Sequence, residues 1–127
     1  MQRIFFVFGA LSAFIGVAAG AFGAHGLKSR IGSEMLTIFE VGVRYQMYHA
    51  FALIFAAWAH SNWPSLLVKT SGWLFVVGTI LFSGSLYLLS VSGIKWLGAI
   101  TPLGGLAFLA GWVCLAWGVW KAWANES

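Results

Sequence analysis

Long apolar stretches separated by short polar ones set the pattern of this sequence. From Ile4 to Ala24 the only side chain carrying a polar group is Ser12. A second run extends from Ser71 to Val91, interrupted by small hydroxyls and Tyr87, and a third from Trp96 to Trp120, containing Thr101 and Pro102. A helix that crosses a bilayer needs about 20 mostly apolar residues, each rising about 1.5 Å, and all three runs meet that length. Between the first two lies a shorter run, Tyr45 to Ala59, which carries Gln46, Tyr48 and His49. It spans only if its helix begins upstream. Ser33 as N-cap, with Glu34 in the first turn, supplies a start that suits the helix dipole. The pattern predicts an all-α integral membrane bundle of four transmembrane helices in a single domain, residues 1–127. The spans fall near 4–24, 38–60, 71–91 and 96–120, and the second helix carries an amphipathic interfacial extension.

Composition supports the membrane reading. The chain is 61% hydrophobic and 8% charged, with a mean hydropathy of +0.89, against about 45–50% and about 25% in soluble domains. A soluble fold of this length could not bury so much apolar surface. Seven Lys plus Arg against three Glu give a formal charge of +4, which suits contact with anionic lipid. The basic residues are scattered singly, so no stripe tracks a phosphate backbone and a nucleic-acid partner is not expected. A lone cysteine excludes an intramolecular disulfide and a multi-cysteine metal site; Cys114, among Val113, Leu115 and Ala116, reads as packing. Ala19-Gly20-Ala21 resembles a signal-peptidase site, but the apolar run exceeds the about 7–15 residues of a signal core, and a retained span is the expectation.

Four spans put both termini on one side with Arg3, Lys69 and Lys121, opposite Lys28, Arg30, Arg44 and Lys95, which sets no orientation under the positive-inside rule. Trp58, Trp63, Trp73, Trp117, Trp120 and Trp123 gather on the terminus side, as an interfacial aromatic belt would. Glycines recur every seven residues at Gly9, Gly16 and Gly23 and again at Gly104, Gly111 and Gly118. Small residues at such spacing let helices approach closely. The two ladders could face each other within the chain, or one could face a second copy in a homo-oligomer. Pro102 inside the fourth span predicts a kink.

Candidate chemistry lies where polarity is most costly. Glu40 and Arg44 stand four apart in the favourable order for a helical ion pair, as do Arg44 and Tyr48, and Tyr45 and His49, with Gln46 among them. An arginine at the bilayer centre costs about 2.5–3.5 kcal/mol, so Arg44 is expected near the interface, paired with Glu40 or turned into the bundle. His25, at the end of the first span, is expected toward the same membrane side as His49. The cluster reads first as a structural network, second as a ligand or ion site, and third as a bis-histidine haem between His25 and His49. His60 reads as interfacial. With no Asp there is no Ser-His-Asp triad, and neither a phosphate-binding G-x-x-x-x-G-K-[ST] loop nor an H-E-x-x-H helix occurs.

The stretch Ala21-Phe22-Gly23-Ala24-His25-Gly26-Leu27 resembles a hallmark of the small bacterial membrane proteins known as domain of unknown function 423, the YgdD/YwdK-like family. Val43-Arg44-Tyr45-Gln46-Met47-Tyr48-His49-Ala50 resembles a second, Phe82-Ser83-Gly84-Ser85-Leu86-Tyr87 a third, and Ile100-Thr101-Pro102-Leu103-Gly104-Gly105 a fourth. The resemblance implies a multi-pass, four-helix protein of the bacterial inner membrane and directs attention to His25, Arg44, Tyr45, Gln46 and His49. It implies no activity. The expectation is therefore a non-enzymatic protein, without metal or cofactor, that binds lipid, a membrane-protein partner or a small ligand. The alternatives are a subunit of a homo-oligomeric transporter or channel and, third, a haem-binding redox subunit.

Overall fold

The computed structural model describes residues 1–126. Four α-helices succeed one another among them: α1 (Gln2–His25), α2 (Ser33–Asn62), α3 (Leu66–Ser92) and α4 (Thr101–Glu126). Short 3-10 turns at Leu27–Ser29 and Lys95–Ala99 lie in the first and third connections. By length and composition three segments are apolar enough to cross a membrane: Gln2–Ser29, Leu66–Ser92 and Lys95–Asn125. α2 does not meet that measure although it is the longest of the four. Its charged and polar residues dilute an otherwise apolar sequence.

Local chemistry fixes most helix ends. α1 closes on Gly26, whose N–H donates to the Phe22 carbonyl at 2.8 Å. α2 starts one residue earlier than the sequence suggested. Gly32, in an extended conformation, is the N-cap, and Ser33 is already helical and caps nothing through its side chain. Pro64 steers Trp63 away from helical geometry and ends α2. Ser65 then caps α3, its Oγ accepting the Val68 N–H at 3.1 Å. α3 terminates at Gly93 in the left-handed region, φ +72°. Pro102 falls in the first turn of α4, where its missing N–H would have had no helical acceptor. The kink expected at Pro102 is therefore replaced by a helix start, with a 3-10 turn occupying the first residues of the predicted fourth span.

Consecutive helices pack on one another, α1 on α2, α2 on α3 and α3 on α4. The glycine ladders mark two of these seams, and each meets its chain neighbour; they do not face each other. A Cβ on Gly9 would sit 2.7 Å from the Ala50 carbonyl oxygen, one on Gly16 would strike Met47, and one on Gly23 would strike Phe39, all on α2. On α4, Gly104 lies against the Phe82 backbone, Gly111 against Phe75 and Gly118 against Val68, so a seven-residue ladder meets α3 residues spaced by seven. These six glycines are buried within the chain, which leaves neither ladder open to a second copy. On α2, Ala50, Ala52, Ala56, Ala57 and Ala59 are buried, and their small size keeps the flanking helices near. Phe5, Leu53, Phe75 and Phe108 fill the central core with them.

The outside is apolar. Phe14, Val17, Leu106, Val113 and Trp120 are each more than 60% exposed. Such a surface is unstable in water and matched to lipid. Trp58, Trp63 and Trp123 pack together at the end of the molecule that carries the termini, Trp63 stacking on Trp123 with centroids 5.1 Å apart.

Gly104→Leu is expected to destabilise the α3–α4 seam by at least about 1–3 kcal/mol, the usual cost of overpacking. Gly84→Ala, at a glycine with open space around it, is expected to be nearly neutral. Thermal unfolding of both variants in one detergent checks the contrast.

Candidate functional site on the second helix

The 3.6-residue period sorts the α2 side chains into two stripes. Phe39, Gly42, Gln46, His49, Leu53 and Ala56 are buried, whereas Glu40, Arg44, Tyr48, Phe51, Phe55 and Trp58 are exposed. The polar residues that the sequence grouped together therefore part company. Gln46 and His49 turn inward. Arg44, Tyr48 and Glu40 turn outward, and Tyr45, 36% exposed, lies at the boundary. Arg44 forms no ion pair with Glu40 or with any other described residue, so neither pairing nor inward rotation describes it.

Gln46 is the hub of the inward set. Its Nε2 donates to the Ser12 carbonyl of α1 at 2.9 Å, and its Oε1 accepts the Tyr87 hydroxyl of α3 at 2.5 Å. One turn away, the Ser83 hydroxyl donates to the Gly42 carbonyl at 2.6 Å. Three helices are thus joined by hydrogen bonds at one depth. The Ser12 hydroxyl, also buried there, has no hydrogen-bond partner among the described residues.

His49 joins α2 to α4. It is 4% exposed, and its ring stacks on Phe108 with centroids 3.5 Å apart and planes 6° from parallel. The Trp112 indole N–H lies 3.1 Å from Nε2, and Nδ1 lies 2.8 Å from the Tyr45 carbonyl. An indole can only donate, so Nε2 accepts, the ring proton resides on Nδ1, and Nδ1–H donates to Tyr45. The neutral ring satisfies both partners at once. A second proton would set two N–H groups against each other at Nε2.

The bis-histidine arrangement does not form. His25 is exposed at the end of α1. Nearby Gly23 faces Phe39, ten residues before His49 and so about 15 Å away along α2 at 1.5 Å per residue. Iron ligation at His49 Nε2 would also have to displace Trp112. His60, at the other end of α2, has Nδ1 3.4 Å from Gln2 Oε1.

Sequence reasoning missed Ser12, Ser83, Tyr87, Phe108 and Trp112 as partners. Tyr87 and Ser12 had been visible as isolated polar residues within apolar spans. Trp112 and Phe108 had no such signal, because an aromatic residue in an apolar helix reads as lipid-facing.

Residues 19–105 match the family described as protein of unknown function (DUF423). The chain belongs to that family. The matched segment contains Gln46, His49, Ser83 and Tyr87 and stops short of Ser12 and Trp112. The chain is 46% identical to the UPF0382 membrane protein YwdK of Bacillus subtilis over 115 residues, 90% of this chain and 94% of that one. It is 45% identical to the UPF0382 membrane protein SH2409 of Staphylococcus haemolyticus over 114 residues, 90% and 93% of the two chains. With SSP2132 of Staphylococcus saprophyticus it shares 43% identity over 120 residues, 94% and 99% of the two. No solved structure matches. Its relatives and its long apolar helices make this DUF423 member a multi-pass bacterial membrane protein.

Trp112→Phe, which leaves His49 Nε2 buried without its donor, is expected to cost about 1–3 kcal/mol of stability. Nitrogen-15 spectra of histidine-labelled protein are expected to show one ring, absent in His49→Phe, in the neutral Nδ1–H form.

Proposed function

We propose that α2 crosses the membrane as a fourth span and that this DUF423 protein is a non-enzymatic membrane protein that docks a membrane-embedded partner on the outward stripe of α2. Packing supports the fourth span. α2 is sandwiched between α1 and α3, and its polar groups at mid-length bond to those helices, so it shares their depth. Low hydropathy is then no obstacle, because its buried polar groups meet protein and not lipid.

The observation that carries the docking role is Arg44. Val43 beside it faces Gly20, five residues before the end of α1, which sets Arg44 about 7.5 Å inside that end. There it is exposed and without an ion pair. Its stem can snorkel toward headgroups, while Tyr48 and Glu40 on the same stripe offer a hydroxyl and a carboxylate beside it. A partner helix bearing a carboxylate at that depth would compensate the charge. The inward groups, by contrast, are occupied: Gln46 and His49 each spend both polar atoms of the side chain within the chain.

Two experiments test this reading. In a Cys114→Ala background, Lys28→Cys and Ser65→Cys are expected to label from opposite sides of the membrane; labelling from the same side removes the fourth span. A photo-crosslinking amino acid at position 48 is expected to give one discrete protein adduct in native membranes, lost in Arg44→Ala, while Arg44→Ala keeps the wild-type melting temperature and His49→Ala lowers it. Adducts with lipid alone overturn the docking role. An adduct of twice the chain mass moves the reading to a homo-oligomer.

A further inference from the structure

A lateral groove lies at the end of the molecule beside the termini. Its origin is the way α1 divides its side chains above the close contact at Gly9. Phe5 turns toward α3, where it packs on Gly72 and edge-on to Trp73 with centroids 5.3 Å apart. Gln2, Arg3 and Phe6 face the other way, toward α2, and no bulky partner fills the space beneath them. The result is a groove of about 840 Å³ between α1 and α2. Its wall is apolar, made by Phe6, Ile54, Phe55 and Ala57, and its mouth is polar, made by Gln2, Arg3, Trp58 and Ser61.

Among the described side chains, the charges around the mouth are positive. Arg3 is exposed and forms no ion pair among the described residues. The Met1 ammonium and Lys69 both lie within electrostatic reach of His60, which touches Gln2. The carboxylates of Glu34 and Glu40 belong to the far end of α2. An apolar trough that opens at a cationic, tryptophan-flanked mouth matches an amphiphile with an acyl chain and a net negative headgroup. We infer that the α1–α2 groove holds one anionic phospholipid, its phosphate on the Arg3 guanidinium, its chain along Phe6, Ile54 and Phe55, and the Trp58 indole at headgroup depth. A zwitterionic phospholipid carries the same phosphate but adds an ammonium among cations, so the groove selects against it. The groove takes up the Phe55 and Trp58 end of the outward stripe, whereas Glu40, Arg44 and Tyr48, which carry the docking role, lie toward the other end of α2 and do not line it.

The test uses the full chain reconstituted with chain-brominated phosphatidylglycerol or chain-brominated phosphatidylcholine, reading tryptophan quenching. Phosphatidylglycerol is expected to quench selectively, with about a fivefold preference from one interfacial arginine. Trp58→Phe is expected to remove most of the selective quenching. Arg3→Gln, at an exposed site outside the core, is expected to fold and to lose the preference, whereas Lys95→Gln at the opposite end keeps it. Equal quenching by the two lipids in the wild type overturns the inference. So does an equal loss in Lys95→Gln, which would mark a general charge effect, and so does displacement by soluble glycerol phosphate alone, which would mark a simple anion site.

Discussion

The hydrogen bonds of Gln46 are the constraint on which the rest depends. A carboxamide buried among apolar helices has no water to turn to, and each unsatisfied polar group in such surroundings costs several kcal/mol. Gln46 escapes that cost only by reaching the Ser12 carbonyl on one side and the Tyr87 hydroxyl on the other. Both bonds fix the rotation of α2 about its axis, and they fix its depth relative to α1 and α3. Once α2 is turned so, His49 faces α4 and Arg44 must face out. The division of the polar residues into an inner network and an outer stripe is thus one choice, made at residue 46.

The glycine seams make that choice reachable. A side-chain amide spans only a few ångströms, so Ser12 can be reached only if α1 lies nearly against the α2 backbone. Gly9 and Gly16 allow this on α1, where even a methyl group would collide with Ala50 or Met47. Gly42 plays the matching part on α2 by admitting the Tyr87 ring and exposing its own carbonyl to Ser83. Close packing and polar satisfaction are therefore a single arrangement seen from two sides, as expected where lipid gives helices no hydrophobic reason to associate.

Much of the fold was legible in the sequence, because length and apolarity alone define helices in a membrane, and Gly93 and Pro64 mark stops through their backbone restrictions. The orientation of each helix was not legible. In water a helix shows its inner face by an apolar stripe, but α1, α3 and α4 are apolar all round and carry no such mark. That is why Glu40, Arg44, Tyr48 and His49 looked like one cluster: spacing by four puts neighbours side by side without saying which way the pair points. Gln46 and His49 were visible as costly residues, yet their partners sit on other helices, and the indole of Trp112 cannot be told from a lipid-facing one without the packing. Pro102 misled for a related reason. A proline in an unbroken apolar run looks interior until a turn is seen to precede it.

The distribution of polarity also bears on biogenesis. Three helices are apolar enough to partition into lipid individually, whereas α2, as the proposed fourth span, would depend on its neighbours, α1 before it and α3 and α4 after it. A ribosome-bound chain ending just past Asn62 would hold Gln46 by Ser12 alone, with His49 still lacking Trp112. On the proposed reading of α2 as a fourth span, its insertion would be completed only when the last third of the chain closes over it.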